Sequence, residues 1–205
     1  NAYPWMSWTN AAIPCMPDTE YIFPQGEVLV HASALDTINW KKQGPKKEKD
    51  ISEMTGYFWK TKDVNAFGAY TPSLGYGLYH IAEEQSAPGI KLWSYGVKED
   101  KEWSLLSTNN RQTYAELQGG PISDQSIKLE LQPGEYREHT EFWIPADKRM
   151  DIYKLSVPEV ALRPITEVPL FGWARENEIV PWIALLNAFE YGTDIPQIDP
   201  TVTSW

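Results

Sequence analysis

Residues 113–145 read TYAELQGGPISDQSIKLELQPGEYREHTEFWIP. Within SIKLEL, Ile127, Leu129 and Leu131 fall on one side of an extended chain, and Lys128 and Glu130 on the other. A period of two with one apolar face is the habit of a half-buried antiparallel strand. LQPGEY, from Leu131 to Tyr136, then supplies Pro and Gly where a tight turn needs them. REHTEFWIP alternates again. The stretch therefore reads as consecutive strands joined by short turns.

The same pattern extends outward in both directions. YPWMSWTNAAI, EYIF, EVLVHA, TGYFW, AFGAYT, YGLYHIA, IKLWSYG and TYAELQ are short apolar or alternating runs, separated by Pro, Gly, Asn and Asp. Sixteen Pro and thirteen Gly suit many turns rather than a helical bundle. One helix is expected, over 178–191. There Trp182, Leu185, Leu186 and Phe189 form an i, i+3, i+4, i+7 stripe behind Glu176 and Glu178, with Gly192 as its stop. No repeat of fixed period and no clear linker appear, so 1–205 reads as a single β domain. The lysine-rich stretch KKQGPKKEKD, with Lys41, Lys42, Lys46, Lys47 and Lys49, reads as a solvated loop inserted between strands.

Composition excludes several classes of partner. The formal net charge is −10, which repels nucleic acid and anionic membrane surfaces. No run approaches the roughly twenty apolar residues of a membrane span. A single cysteine, Cys15, forbids an internal disulfide, reads as a small packing residue, and leaves the cellular compartment open. No metal or cofactor is expected: nucleotide, zinc-protease and nucleophile-elbow motifs are absent, and His31, His80 and His139 are far apart in sequence. His139, among charged neighbours, reads as a surface residue. His31 and His80 follow apolar runs and read as core or edge histidines.

Glu116 stands out. TYAELQGG puts a carboxylate at the end of a strand, next to Leu117, Gln118 and two glycines; it reads either as an acid sharing a face with Tyr114 or as an exposed strand residue paired with Lys or Arg. Ten tryptophans and eleven tyrosines are an unusual number, and most are expected in the core.

The stretch from Thr113 to Pro145 resembles the C-terminal motif of aldose mutarotases, with Glu116 in the place of the catalytic glutamate and Pro133, Gly134, Glu135 and Tyr136 matching the turn before the last long strand. The chain more closely resembles the mutarotase-like domains called DUF5107. SWTNAAIP, FGAYTPSLGYGLYHIAEEQSAPGIKLWSYG, TYAELQGG and LFGWARENEIVPW carry that likeness over nearly the whole chain. The resemblance implies an all-β, antiparallel β-supersandwich of galactose-mutarotase type, present as its C-terminal portion, with a small C-terminal helix. It implies a cleft for a sugar or glycan on the concave sheet, with Glu116 as the acid/base of any reaction. Trp8, Asn10, His31, His80, Trp93 and Gln118 are the expected sugar-binding residues. Met6 stands where mutarotases carry their general-acid histidine, so little mutarotase activity is expected. Three functions follow as alternatives: a sugar-binding module, an aldose-epimerase-like or glycosidase-like enzyme, or a structural interaction module of a larger protein. An N-terminal part of the same protein, or a second copy, is expected to cover the open sheet edges.

Overall fold

The computed structural model describes residues 8–97, 113–123, 130, 132–135, 138–159, 187–188 and 191–192. The chain divides into two compact units, Asn1–Pro158 and Glu159–Trp205. Among the described residues the first holds ten strands: β1 (Thr9–Pro14), β2 (Glu20–Ile22), β3 (Glu27–His31), β4 (Leu35–Asn39), β5 (Thr55–Trp59), β6 (Ala66–Thr71), β7 (Tyr76–Ala82), β8 (Gly89–Ser94), β9 (Tyr114–Gly120) and β10 (Glu141–Ala146). They form a six-stranded sheet in the order β1-β9-β8-β5-β3-β4 and a four-stranded sheet in the order β10-β7-β6-β2. Every pairing is antiparallel. The all-β antiparallel class expected from the sequence is the class observed.

The sheets share one core. Ile13, Val28, Tyr57, Trp59, Leu92, Ala115 and Leu117 point inward from the larger sheet and meet Tyr21, Phe67 and Ala69 of the smaller. Phe23, just after β2, stacks on Trp59 at 4.6 Å and on Phe67 at 5.2 Å, joining the two layers through aromatic rings. Because strand side chains alternate, the residues between these inward ones face away from the smaller sheet. That outward face of the six-stranded sheet carries the candidate site.

Three differences from the sequence reading concern the elements. Strand β4, LDTIN, has weak strand formers and an exposed face, and its place comes from pairing with β3. The lysine-rich stretch is not a plain solvated loop. It folds as a short helix α1 (Trp40–Gln43) and a 3₁₀ turn (Glu48–Asp50), fastened by buried Trp40 and Glu48. Glu48 accepts hydrogen bonds from Tyr21 and Ser94, residues distant in sequence that alternation cannot link to it. His139 is half-buried rather than a surface residue.

The Pro-Gly turn is present: the Glu135 amide donates to the Gln132 carbonyl at 2.9 Å, with Gly134 at φ 82°. Such a φ at the third position marks a type II turn and favours glycine. Most of SIKLEL and of the helix expected over 178–191 lies outside the described residues; Asn187, Ala188 and Tyr191 are helical.

Candidate functional site

Two rows of side chains cross the outward face of the six-stranded sheet. The register aligns Asn10 with Gln118, Gln118 with Lys91, Lys91 with Phe58, and Phe58 with Leu29. The neighbouring row aligns Ala12 with Glu116, Glu116 with Trp93, Trp93 with Gly56, and Gly56 with His31. Of the seven residues expected at a sugar site, Asn10, His31, Trp93, Glu116 and Gln118 therefore share this face. Trp8 precedes inward-facing Thr9 and joins them.

Glu116 is the polar centre. Its Oε2 accepts from Asn10 Nδ2 at 3.0 Å and from Gln118 Nε2 at 2.6 Å. Both amides thus spend a donor on the carboxylate and keep their carbonyl oxygens as acceptors. Lys91 sits one strand away with its ammonium 4.9 Å from the centre of the Phe58 ring. Burial lowers the pKa of Lys91, and the negative charge of Glu116 works against that shift.

The carboxylate is flanked by aromatic groups on both sides. Half-buried Trp93 lies 5.5 Å from Tyr114 and 5.9 Å from Tyr95, centre to centre. Burial, and then the charge of Glu116, raise the pKa of the Tyr114 hydroxyl. On the other side the Trp8 ring meets Phe58 edge-on at 6.4 Å, and His31 leans on the same Phe58 at 4.9 Å. Trp8 reaches the sheet because Gly89 and Gly120, paired in register, have no side chains. A Cβ on Gly89 would lie 2.9 Å from the Trp8 ring.

The family described as "Domain of unknown function (DUF5107)" matches residues 1–146. The chain belongs to this family. It is also similar to a TPR-domain containing protein from Parabacteroides distasonis ATCC 8503, whose crystal structure aligns with a TM-score of 0.77 and 64% sequence identity. The alignment covers 98% of this chain and 35% of that one, so the chain spans about a third of the length of the protein it matches.

His80 does not join the outward face of the DUF5107 domain. It belongs to β7, in the other sheet, and its ring is buried, stacked on Phe67 at 4.5 Å and edge-on to Trp143 at 4.7 Å. Its Nε2 lies 3.1 Å from Glu141 Oε2 of β10. Its Nδ1 is buried with no partner.

Glu141 collects further partners. The Thr9 hydroxyl donates to its Oε2 and also lies 3.1 Å from the Gly119 carbonyl. His139 Nε2 stands 3.1 Å from Oε1, at ion-pair distance but out of line for a hydrogen bond. Burial alone would raise the pKa of Glu141. The hydrogen bonds from His80 and Thr9 and the charges of His80 and His139 outweigh it, and the carboxyl is held below its usual range. Sequence reading missed this cluster, although HTE places His139 and Glu141 two apart on one strand face, which was the available signal. Lys91 was missed in the same way, two residues before Trp93.

Elsewhere, a cavity of about 410 Å³ opens between the inner side of β3–β5 and the lysine-rich segment, lined in part by Val30, Asp36, Ile38, Lys46, Asp50 and Tyr57. None of the expected site residues lines it. Among the described residues, no group of His, Cys, Asp and Glu is arranged to hold a metal, and no helix is long and apolar enough to cross a membrane.

Proposed function

We propose that the outward face of the six-stranded sheet binds a sugar, and that Glu116 and Trp93 are its centre. The observation that carries this reading is their register: the carboxylate and the indole are direct cross-strand neighbours, the first fixed by two amides and the second half-buried beside Tyr114. A pyranose has an apolar C–H face that rests on an indole and hydroxyls that donate to a carboxylate and to amide carbonyls. The acceptor oxygens of Asn10, Glu116 and Gln118 lie together beside that platform.

Binding without catalysis is the simpler form of this proposal. Opening a hemiacetal needs one group to take the anomeric proton and another to protonate the ring oxygen. Glu116 is suited to the first role. Met6 occupies the place of the expected acid, and His80 lies in the other sheet, away from Glu116.

The test is calorimetry against a panel of hexoses and oligosaccharides, with Trp93→Ala and Glu116→Gln alongside. Binding by the wild type and a loss of about tenfold or more in each variant is the expected result. No binding to any sugar at millimolar concentration, or binding indifferent to both substitutions, overturns the proposal.

A second reading is an interaction module. It is favoured by the similar protein being named for a TPR domain and being nearly three times as long as the aligned stretch. A wild type that ignores sugars but binds a TPR-containing segment through Trp93 would select it.

A further inference from the structure

The outward face depends on an edge strand. β1 supplies Asn10, Trp8 leads directly into it, and among the described residues β1 pairs with β9 alone. An edge strand is held from one side only, so its end is the part of a sheet most prone to fray. Trp8 and Asn10 lie at that end, on either side of Thr9.

Thr9 is fastened from behind. It faces the smaller sheet, where its hydroxyl meets Glu141 of β10 and the carbonyl of Gly119, its register partner on β9. Glu141 is itself fixed by His80 of β7, and His139 lies beside it. Among the described residues, His80 and His139 are the titratable groups that face Glu141. Gly119 makes the arrangement fit, since a Cβ there would lie 2.6 Å from His80 Nε2. A carboxylate of one sheet thus grips a hydroxyl of the other, one residue behind each of two site side chains.

We propose that Thr9 and Glu141 are positioning residues for the outward face, holding β1 so that the Trp8 ring lies on Gly89 and Gly120 and the Asn10 amide reaches Glu116. This rests on the sugar-binding reading for its ligand but not for its geometry. Without the grip, the end of β1 loosens, Glu116 loses one of its two amide donors, and the flank of the site formed by Trp8 and Phe58 opens. Neither Thr9 nor Glu141 touches the ligand.

The test compares Thr9→Val, which keeps the shape and removes the hydroxyl, with Thr9→Ser, which restores it. The readouts are the NMR signals of the Trp8 indole N–H and the Asn10 side-chain amide, together with sugar affinity. Thr9→Val is expected to move both signals, to leave the backbone amides of Ile90 and Leu92 in place, and to weaken binding about tenfold. Thr9→Ser is expected to return all of them to wild-type values. Should Thr9→Val fail to fold, Glu141→Asp keeps the charge beside both histidines while drawing the carboxylate back from Thr9, and is expected to move the same two signals. A folded Thr9→Val or Glu141→Asp protein with both signals unmoved overturns the proposal. Signals that move in a protein whose wild type binds no sugar leave the positioning role standing and remove only the ligand.

Discussion

Among the described residues, the carboxylates of Glu48 and Glu141 are both screened from solvent, and their pKa values move in opposite directions. Glu48 fastens the lysine-rich segment to the core and accepts from the neutral hydroxyls of Tyr21 and Ser94. Desolvation dominates there, those hydrogen bonds only partly offset it, and the pKa of Glu48 is raised. Glu141 is less deeply placed, with its side chain 5% exposed; it takes hydrogen bonds from His80 and Thr9 and faces two imidazoles, and its pKa is lowered. The balance between desolvation and the hydrogen bonds and charges of its partners therefore decides which way the pKa of such an acid moves. One acid anchors a segment, and the other joins two sheets behind the candidate site.

The sharpest way to break this comparison is to remove Glu141. Glu141→Ala leaves His80 and Thr9 without their buried acceptor and is expected to cost about 3 kcal/mol of stability, measured by urea unfolding. A cost near zero would mean that the cluster holds nothing. Gly119→Ala attacks the same joint sterically by driving a methyl into the His80 ring. About 2 kcal/mol is expected from overpacking, and a neutral result in the same unfolding assay would show that His80 moves freely.

Smaller effects separate the two acids. At pH 7, Glu141→Gln is expected to destabilise by about 1 kcal/mol, while Glu48→Gln, which removes a desolvated charge and keeps a hydrogen-bonding group, is expected to be neutral or slightly stabilising. Equal losses would contradict the contrast.

The smallest effect is in the pH profile. A carboxyl whose folded pKa lies below its ordinary value of 4.5 gives stability that is present above that value and is lost as pH falls through the lowered one. A carboxyl whose folded pKa is raised, as for Glu48, gives stability that is full below the ordinary value and is lost as pH rises through the raised one. Below the ordinary value, Glu141→Gln should flatten the acid loss of stability. Above it, Glu48→Gln should remove a loss of stability on raising the pH. Parallel profiles for both variants and the wild type would refute the assignment of opposite shifts.

Part of the strand pattern was legible because β1 and the first halves of β7 and β9 alternate in burial. That Glu116, Gln118 and Trp93 belong together came from the family resemblance rather than from alternation. What alternation does not encode is which sheet a strand joins. YGLYHIA is buried on both faces from Tyr79 to Ala82, so its pattern could not tell that His80 looks into the core rather than across the outward face. The lysine-rich segment was illegible for another reason. A single acid, Glu48, ties it down through partners 27 and 46 positions away, and the many exposed charges around it mask that one buried contact. Trp8 and its two bare glycines became meaningful together only once register set Gly89 opposite Gly120.

Cys15 follows directly on β1 and is closed in. Its amide donates to the Thr113 carbonyl at 2.9 Å, its sulfur lies 3.5 Å from the Tyr21 hydroxyl, and burial, with the charge of Glu48 next, pushes its pKa up to about 12. In the closed protein the thiol is both shielded and protonated, and thiol reagents attack the thiolate. Every labelling event must then come from a molecule in which the strand end at Cys15 has parted from Thr113 or Tyr21. The single sulfur is in effect a stopwatch for that opening. Under excess reagent the labelling rate counts each departure of that strand end, and under sparing reagent it weighs how much of the time the end is away.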